Sequence, residues 1–335
     1  MGETTGGAHV MHKVEIGLAL GGGAARGLAH IGVLLELQAA GVAVTHVAGC
    51  SFGSIVGAAY VCGTLAELEE LARSLSRAEL IRYADATFSG GVLRGDALLE
   101  ELRHLTRGLR FEELPVPFAV VATDLETGAP VVLRTGSIAE AVRASMSVPG
   151  LFAPAMVEGR ALVDGGLVEL VPVTALRELR PPRAVAVDVS SQDDVWTRVA
   201  TRARLSVGGV RRRWRRLRGA ATDLVPGRVF TLTAHARPGE RAWGLVRTVL
   251  SAFDITEARL QRDASPLEAD LVIRPDVRRF HGHQFDRAAE IIAAGRVAAR
   301  QALPLLTGTA TVADPVSWTR AAPPLLPVVG RGVAG

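Results

Sequence analysis

The stretch EIGLALGGGAARGLAHIGVLLELQAAGVAVTHVAGCSFG, Glu15 to Gly53, decides the fold. Glu15–Leu20 is short, β-permissive and ends in glycines, the pattern of a buried parallel strand. Ala24–Ala40 reads as a helix with apolar Leu28, Ile31, Leu34 and Leu35, stopped by Gly41. Val42–Ala48 reads as a second strand, and another apolar helix follows Gly49–Gly53 and runs through Val61. Strand, helix, strand, helix with short connections predicts a parallel α/β sheet.

Further strands are expected at Phe118–Ala122, Pro130–Leu133, Ala161–Val163, Ala184–Val187, Val229–Leu232 and Leu271–Ile273. Helical patterns fall at Ala97–Arg107, Ile138–Ala144, Val173–Leu179 and Phe285–Ala302. No internal repeat is visible. The expected organisation is a flexible segment 1–12, one domain over 13–305 and a flexible Pro/Gly-rich tail over 306–335.

Composition narrows the class. The chain has 335 residues, 48% of them hydrophobic and 21% charged, which excludes a mostly disordered protein and leaves ample material for a core. Aromatic residues at 4% are too few for extensive base-stacking surfaces. Cys50 and Cys62 give neither a zinc spacing nor a disulfide scaffold and suit a reducing compartment. The net charge is +4, and Lys13 is the one lysine, so nearly all basic charge is arginine spread along the chain.

The segment Met1 to His12 lacks the apolar core of a signal peptide. Leu37–Ala66 carries no Asp, Glu, Lys or Arg, but its glycines and hydroxyls break it into a buried strand, turn and helix rather than a membrane span. A cytoplasmic protein is expected, with peripheral attachment at the inner face of a membrane as an added option. That option comes from residues 193–220, where Trp196, Val199, Ala203, Val207, Val210, Trp214 and Leu217 recur at helical spacing. The opposite face carries Arg211, Arg212, Arg213, Arg215, Arg216 and Arg218. A solvated helix packed on the core, a contact with anionic membrane and a nucleic-acid contact are all compatible with this pattern. No nucleic-acid reading module accompanies the arginines, so no nucleic-acid partner is expected.

Three glycine motifs carry the chemistry. Gly21-Gly22-Gly23-Ala24-Ala25-Arg26-Gly27 lies between a strand and a helix, where backbone N–H groups point at an anion. A dinucleotide fingerprint would put Arg26 at its third glycine, and a P-loop would need lysine where Leu28 stands, so neither nucleotide motif fits. Gly49-Cys50-Ser51-Phe52-Gly53 is a G-x-S-x-G elbow, which pushes the Ser51 hydroxyl out above the sheet. Asp164-Gly165-Gly166 follows an apolar strand and reads, taken alone, as a tight turn. An ordinary α/β-hydrolase would place more chain before its elbow and finish with a catalytic histidine. Here His281 and His283 sit beside arginines, as surface or packing residues.

G-G-G-x-x-R-G, then G-x-S-x-G, then D-G-G, in this order, resembles the patatin-like phospholipases, and most of all the bacterial members related to neuropathy target esterase. The resemblance extends through Ala122–Gly128, Ala144-Ser145-Met146-Ser147-Val148-Pro149-Gly150, Leu162–Val168 and the Phe285–Gly295 helix, and so covers roughly Val14 to Leu303. It implies a three-layer α/β/α sandwich with a mainly parallel central sheet. It also implies a Ser51–Asp164 dyad without histidine, with Gly21, Gly22, Gly23 and Arg26 forming an oxyanion hole and Gly49, Gly53, Gly165 and Gly166 supporting the pair. The activity implied is carboxylic ester hydrolysis of acyl lipids, lysophospholipids or phospholipids, through an acyl-enzyme, with no metal or cofactor. A non-catalytic lipid-binding or regulatory protein on this fold, or a thioesterase or small-ester hydrolase, stands as the alternative. Family members often carry asparagine after D-G-G-x-x, where this chain has Glu169-Leu170, a departure that predicts an altered substrate mouth.

Overall fold

A computed structural model describes residues 14–74, 93–190 and 268–308. The chain opens as predicted, with β1 (Glu15–Leu20), a 3-10 turn (Ala24–Leu28), α1 (Ala29–Ala39), β2 (Ala43–Cys50) and α2 (Phe52–Val61). α1 stops where Gly41 adopts φ 73 and the N–H groups of Gly41 and Val42 turn back to the carbonyls of Gln38 and Leu37. These paired bonds satisfy two of the helix's terminal acceptors. Then come α3 (Leu65–Ser74), α4 (Asp96–Leu105), β3 (Phe118–Asp124), β4 (Pro130–Leu133) and α5 (Ile138–Ser145). The chain continues with β5 (Ala155–Val157), β6 (Arg160–Asp164), α6 (Val173–Glu178), β7 (Ala184–Val187), β8 (Leu271–Ile273) and α7 (Ala288–Leu306). The last helix runs through Pro304 to Leu306, four residues beyond the expected end at Ala302.

Among the described residues the strands form one mixed sheet in the order β5-β6-β3-β2-β1-β7-β8, with β4 on β3. The pairs β1–β2, β1–β7, β2–β3 and β7–β8 are parallel, and β3–β4, β3–β6 and β5–β6 are antiparallel. Strand alternation sorts side chains by size. Ile16, Leu18, Leu20, Val120, Val185 and Val187 join the large cluster that also takes residues from α1, α2, α5 and α7. Ala19, Ala48, Ala119, Ala184 and Ala186 face the other way, onto Val173, Ala175 and Leu176 of α6. Small side chains let this short helix approach the sheet closely, and they complete the second helical layer of an α/β/α sandwich. A bulge between β1 and β2, where the register steps from Ile16↔Val44 to Gly17↔His46, explains why Val44 and Val47 share a face despite opposite parity.

β3 has three partners, and their registers decide the geometry of the site. β2 pairs with Phe118–Val121 and β6 with Ala122–Asp124, while β4 pairs with Val120–Thr123 and so overlaps both. A strand has two edges, so β4 must occupy one while β2 and β6 share the other. β2 runs up that edge to Cys50 opposite Val121, and β6 runs down it to Asp164 opposite Ala122. Their C-terminal ends meet nearly head-on, and the residues just beyond and at those ends are Ser51 and Asp164.

Candidate active site

Ser51 is the single residue between β2 and α2, held at φ 50 and ψ −128. A serine in that region of backbone space costs on the order of 1–3 kcal/mol, which the packing around it must offset. The packing is tight: a Cβ at Gly53 would lie 2.1 Å from the Leu20 carbonyl oxygen, and one at Gly49 would lie 2.5 Å from Ser54 Cα. Only glycine on both sides of the serine lets α2 start against the end of β1. Ser54 secures the turn from within the helix, its hydroxyl and its N–H both donating to the Ser51 carbonyl at 2.6 and 2.9 Å.

Asp164 arrives from the opposite direction at the end of β6 and is fully buried. The Ser51 hydroxyl, 5% exposed as a residue, donates to Asp164 Oδ2 at 2.7 Å, and Gly166 N–H donates to Oδ1 at 2.8 Å. The aspartate main chain is fixed too. Its N–H donates to Ser147 O at 3.0 Å, and its carbonyl accepts from Thr123 Oγ1 at 2.8 Å. Gly165 is the close-approach residue here, since a Cβ would sit 2.3 Å from the Val121 carbonyl oxygen. Burial pushes the Asp164 carboxyl up to about 7, against the opposing pull of the Gly166 and Ser51 hydrogen bonds. A carboxylate that gains and loses its proton near neutrality, in contact with a serine hydroxyl, can take that hydroxyl's proton as the oxygen attacks.

The glycine-rich loop divides the work expected of it. Gly21 N–H donates to Val187 O at 3.1 Å and Gly22 N–H to Leu170 O at 2.9 Å, so these two donors are committed to holding the loop. Arg26, also buried, donates through Nε to Val189 O at 3.2 Å. The contacts of Gly21, Gly22 and Arg26 anchor the loop on Leu170, after β6, and on Val187 and Val189, at and just beyond the end of β7. Among the described residues the N–H groups of Gly23, Ala24 and Phe52 have no acceptor. Gly23 and Phe52 are buried and Ala24 is half-buried, and open N–H groups at the start of a helical turn, here on the two loops that meet at Ser51, are donors suited to an anionic or carbonyl oxygen. Ala24 is held at φ 48, so each of the two loops carries one strained non-glycine residue.

His30, which sequence reasoning passed over, lies fully buried on α1 with Nε2 2.7 Å from Gly21 O. Burial pushes its imidazole down to about 4, so it is neutral and donates to that carbonyl. Ser145, Met146 and Thr123 were also given no role from sequence, although Ser145 Oγ accepts Ser51 N–H at 2.8 Å and Met146 Sδ is 3.9 Å from Ser51 Oγ. Neither His281 nor His283 is among the partners of Ser51 or Asp164 in the described hydrogen bonds, which join those two to each other and to Ser145, Met146, Ser147, Thr123 and Gly166. His281 and His283 stack on each other at 5.5 Å, and Gly282 between them accepts the Ala25 N–H at 3.0 Å. Glu169 accepts the Thr174 N–H at 2.7 Å and Leu170 O holds Gly22, so the departure from the family pattern falls on residues that brace α6 and the glycine loop.

Among the described residues no three His, Cys, Asp or Glu side chains are grouped to hold a metal ion. No helix among them is long and apolar enough to cross a membrane. The arginine-rich pattern 193–220, the strand expected at Val229–Leu232, the segment 1–12 and the tail beyond residue 308 lie outside the described residues.

A mostly parallel sheet that presents a strained serine between strand and helix, beside a glycine-rich loop, defines the α/β class built around a nucleophile-type elbow. Residues 18–177 match the family model described as patatin-like phospholipase, and the chain carries a domain of that family. It is 36% identical over 180 residues to an uncharacterized NTE family protein of Mycobacterium tuberculosis, covering 53% of this chain and 50% of that protein. It is 35% identical over 195 residues to human patatin-like phospholipase domain-containing protein 6, covering 56% of this chain and 14% of that protein. The crystal structure of VipD from Legionella pneumophila overlays with a TM-score of 0.47 at 16% identity, covering 89% of this chain and 67% of that one. The chain thus spans half the length of the mycobacterial relative and a small part of the human one.

Proposed function

We propose that this protein is a serine acyl hydrolase that cleaves carboxylic esters of lipids, with lysophospholipids or phospholipids as substrates, through a Ser51–Asp164 dyad. The observation that carries the reading is the 2.7 Å hydrogen bond from a strained, elbow-mounted serine to a fully buried aspartate. The family match supports the choice of acyl lipids as the substrate class.

In this mechanism Ser51 Oγ attacks the ester carbonyl carbon while its proton passes to Asp164 Oδ2. The carbonyl oxygen becomes an oxyanion, and the open N–H groups of Gly23, Ala24 and Phe52 receive it. Loss of one such donor in other enzymes costs about 2.7–4 kcal/mol of transition-state stabilisation, so this group of donors supplies a large share of the rate. Collapse of the intermediate breaks the bond to the alcohol oxygen, which leaves with the proton from Asp164. Water, deprotonated by the same carboxylate, then releases the fatty acid from Ser51.

A series of p-nitrophenyl acyl esters tests the reading. Hydrolysis with an optimum at medium or long chains is the expected result. A rate that does not depend on chain length would favour a small-ester hydrolase, and no turnover even with mixed micelles or vesicles would contradict the assignment.

A further inference from the structure

The end of α5 and the turn that follows it touch both members of the pair. Ser145, fully buried, accepts the Ser51 N–H through Oγ at 2.8 Å and donates from the same hydroxyl to Val121 O of β3 at 2.6 Å. Two residues later, the Ser147 carbonyl accepts the Asp164 N–H at 3.0 Å. Ser147 is itself pinned, its Oγ receiving Arg143 Nη1 at 2.6 Å and donating to Arg143 O at 3.0 Å. Arg143 is buried and extends the brace through bonds to the carbonyls of Gly95, Arg94 and Ala153. Met146 lies between the two serines, with its sulfur against Ser51 Oγ.

The head-on arrangement of β2 and β6 gives this turn something to do. The two strands share an edge of β3 without forming a ladder with one another. At φ 50 the Ser51 N–H is turned out of the β2 ladder, and a buried N–H with no acceptor is destabilising. Ser145 supplies that acceptor and at the same time fastens the elbow to β3.

We propose that the 145–147 turn is a positioning element that sets the distance between Ser51 and Asp164, with Ser145 as its decisive residue. The inference rests on the dyad reading above. It also has a consequence for the oxyanion donors. Because Ser145 occupies the N–H of the serine itself, that group is not free to serve the oxyanion, and the burden falls on Gly23, Ala24 and Phe52.

The test uses the full chain with Ser145→Ala, Ser145→Cys and Ser145→Thr. It reads kcat and KM on the best p-nitrophenyl ester, the rate of fluorophosphonate labelling at Ser51 across pH, and the melting temperature. Misplacement of a reacting group by about 1 Å can cost on the order of 100-fold. Ser145→Ala is therefore expected to lower kcat and the labelling rate by about 10- to 100-fold, with KM within about threefold. Ser145→Cys fills the same space with a poor acceptor and is expected to match alanine in rate while keeping the melting temperature. Ser145→Thr restores the hydroxyl and should recover most of the rate. The acid limb of the labelling profile should also move to higher pH in the alanine variant, since the Ser51 hydrogen bond is one of the contacts holding the Asp164 carboxyl down.

Wild-type rates in both the alanine and cysteine variants would overturn the inference while leaving the dyad standing. So would a loss explained wholly by a lower folded fraction with an unmoved acid limb. Absence of labelling at Ser51 in the wild type would overturn the dyad reading, and this inference with it.

Discussion

Ser51→Ala is expected to abolish turnover, lowering kcat by at least about 10⁴-fold, with a melting temperature close to wild type. Removing a catalytic serine from a serine hydrolase costs up to about 10⁶-fold in kcat, and what survives comes from the oxyanion donors and substrate binding. Here the substitution takes away the one oxygen in contact with Asp164 Oδ2 among the described hydrogen bonds. The fold should tolerate it. Ser51 is buried with a small side chain, and alanine keeps the Cβ and the N–H that Ser145 holds. Stopped assays of ester hydrolysis, with circular dichroism on the same samples, check both halves of the prediction. Residual activity near wild type in a folded variant would remove Ser51 from the mechanism.

Asp164→Asn should produce nearly as large a loss and, unusually, a gain in stability. An amide can still accept from Gly166, but it cannot take the serine proton, so kcat should fall by about 10³- to 10⁵-fold. The stability effect follows from burial. The Asp164 carboxyl is raised from 3.8 to about 7 in the folded protein, so the native state holds a proton that the unfolded chain has released. Between those two values ν for the unfolded state is the smaller, and stability falls as pH rises. The contribution of this group is fully present below about pH 4 and lost as pH climbs through about 7. Above that, the wild type carries a buried charge that asparagine avoids, a difference on the order of a few kcal/mol. The melting temperature of Asp164→Asn should therefore match wild type near pH 4 and exceed it at pH 8. Equal melting temperatures at both pH values would mean that Asp164 is already ionised without penalty. The same titration predicts that kcat/KM declines below about pH 7.

Local chemistry made the frame of the molecule legible. β1, β4, β7 and β8 fall on the residues that strand composition assigns, since buried parallel strands leave apolar runs bounded by turn residues. The elbow and the Asp-Gly-Gly turn were legible because each demands glycine at fixed offsets from its functional residue. What failed to show is what depends on non-local pairing. Ala155-Met156-Val157 is too short to announce itself as a strand and forms only because β6 offers it an edge. Nothing in Leu162–Asp164 tells that it runs against β3 and meets the end of β2. The division of labour in the glycine loop was hidden for the same reason: the acceptors of Gly21 and Gly22 lie 166 and 148 residues away, at Val187 and Leu170. The Ala144–Gly150 motif was visible as a resemblance, but the bond from Ser145 to the Ser51 main chain required coordinates.

The central claim is that Ser51 is a nucleophile made reactive by Asp164, and covalent labelling with a fluorophosphonate tests it most directly. Peptide mapping of the full-length wild type at pH 8 should find one phosphonyl group, on Ser51, with fluoride displaced. Labelling should be absent in Ser51→Ala and slowed strongly in Asp164→Asn. A wild-type protein left unlabelled, or labelled at another residue while Ser51 stays free, would contradict the account.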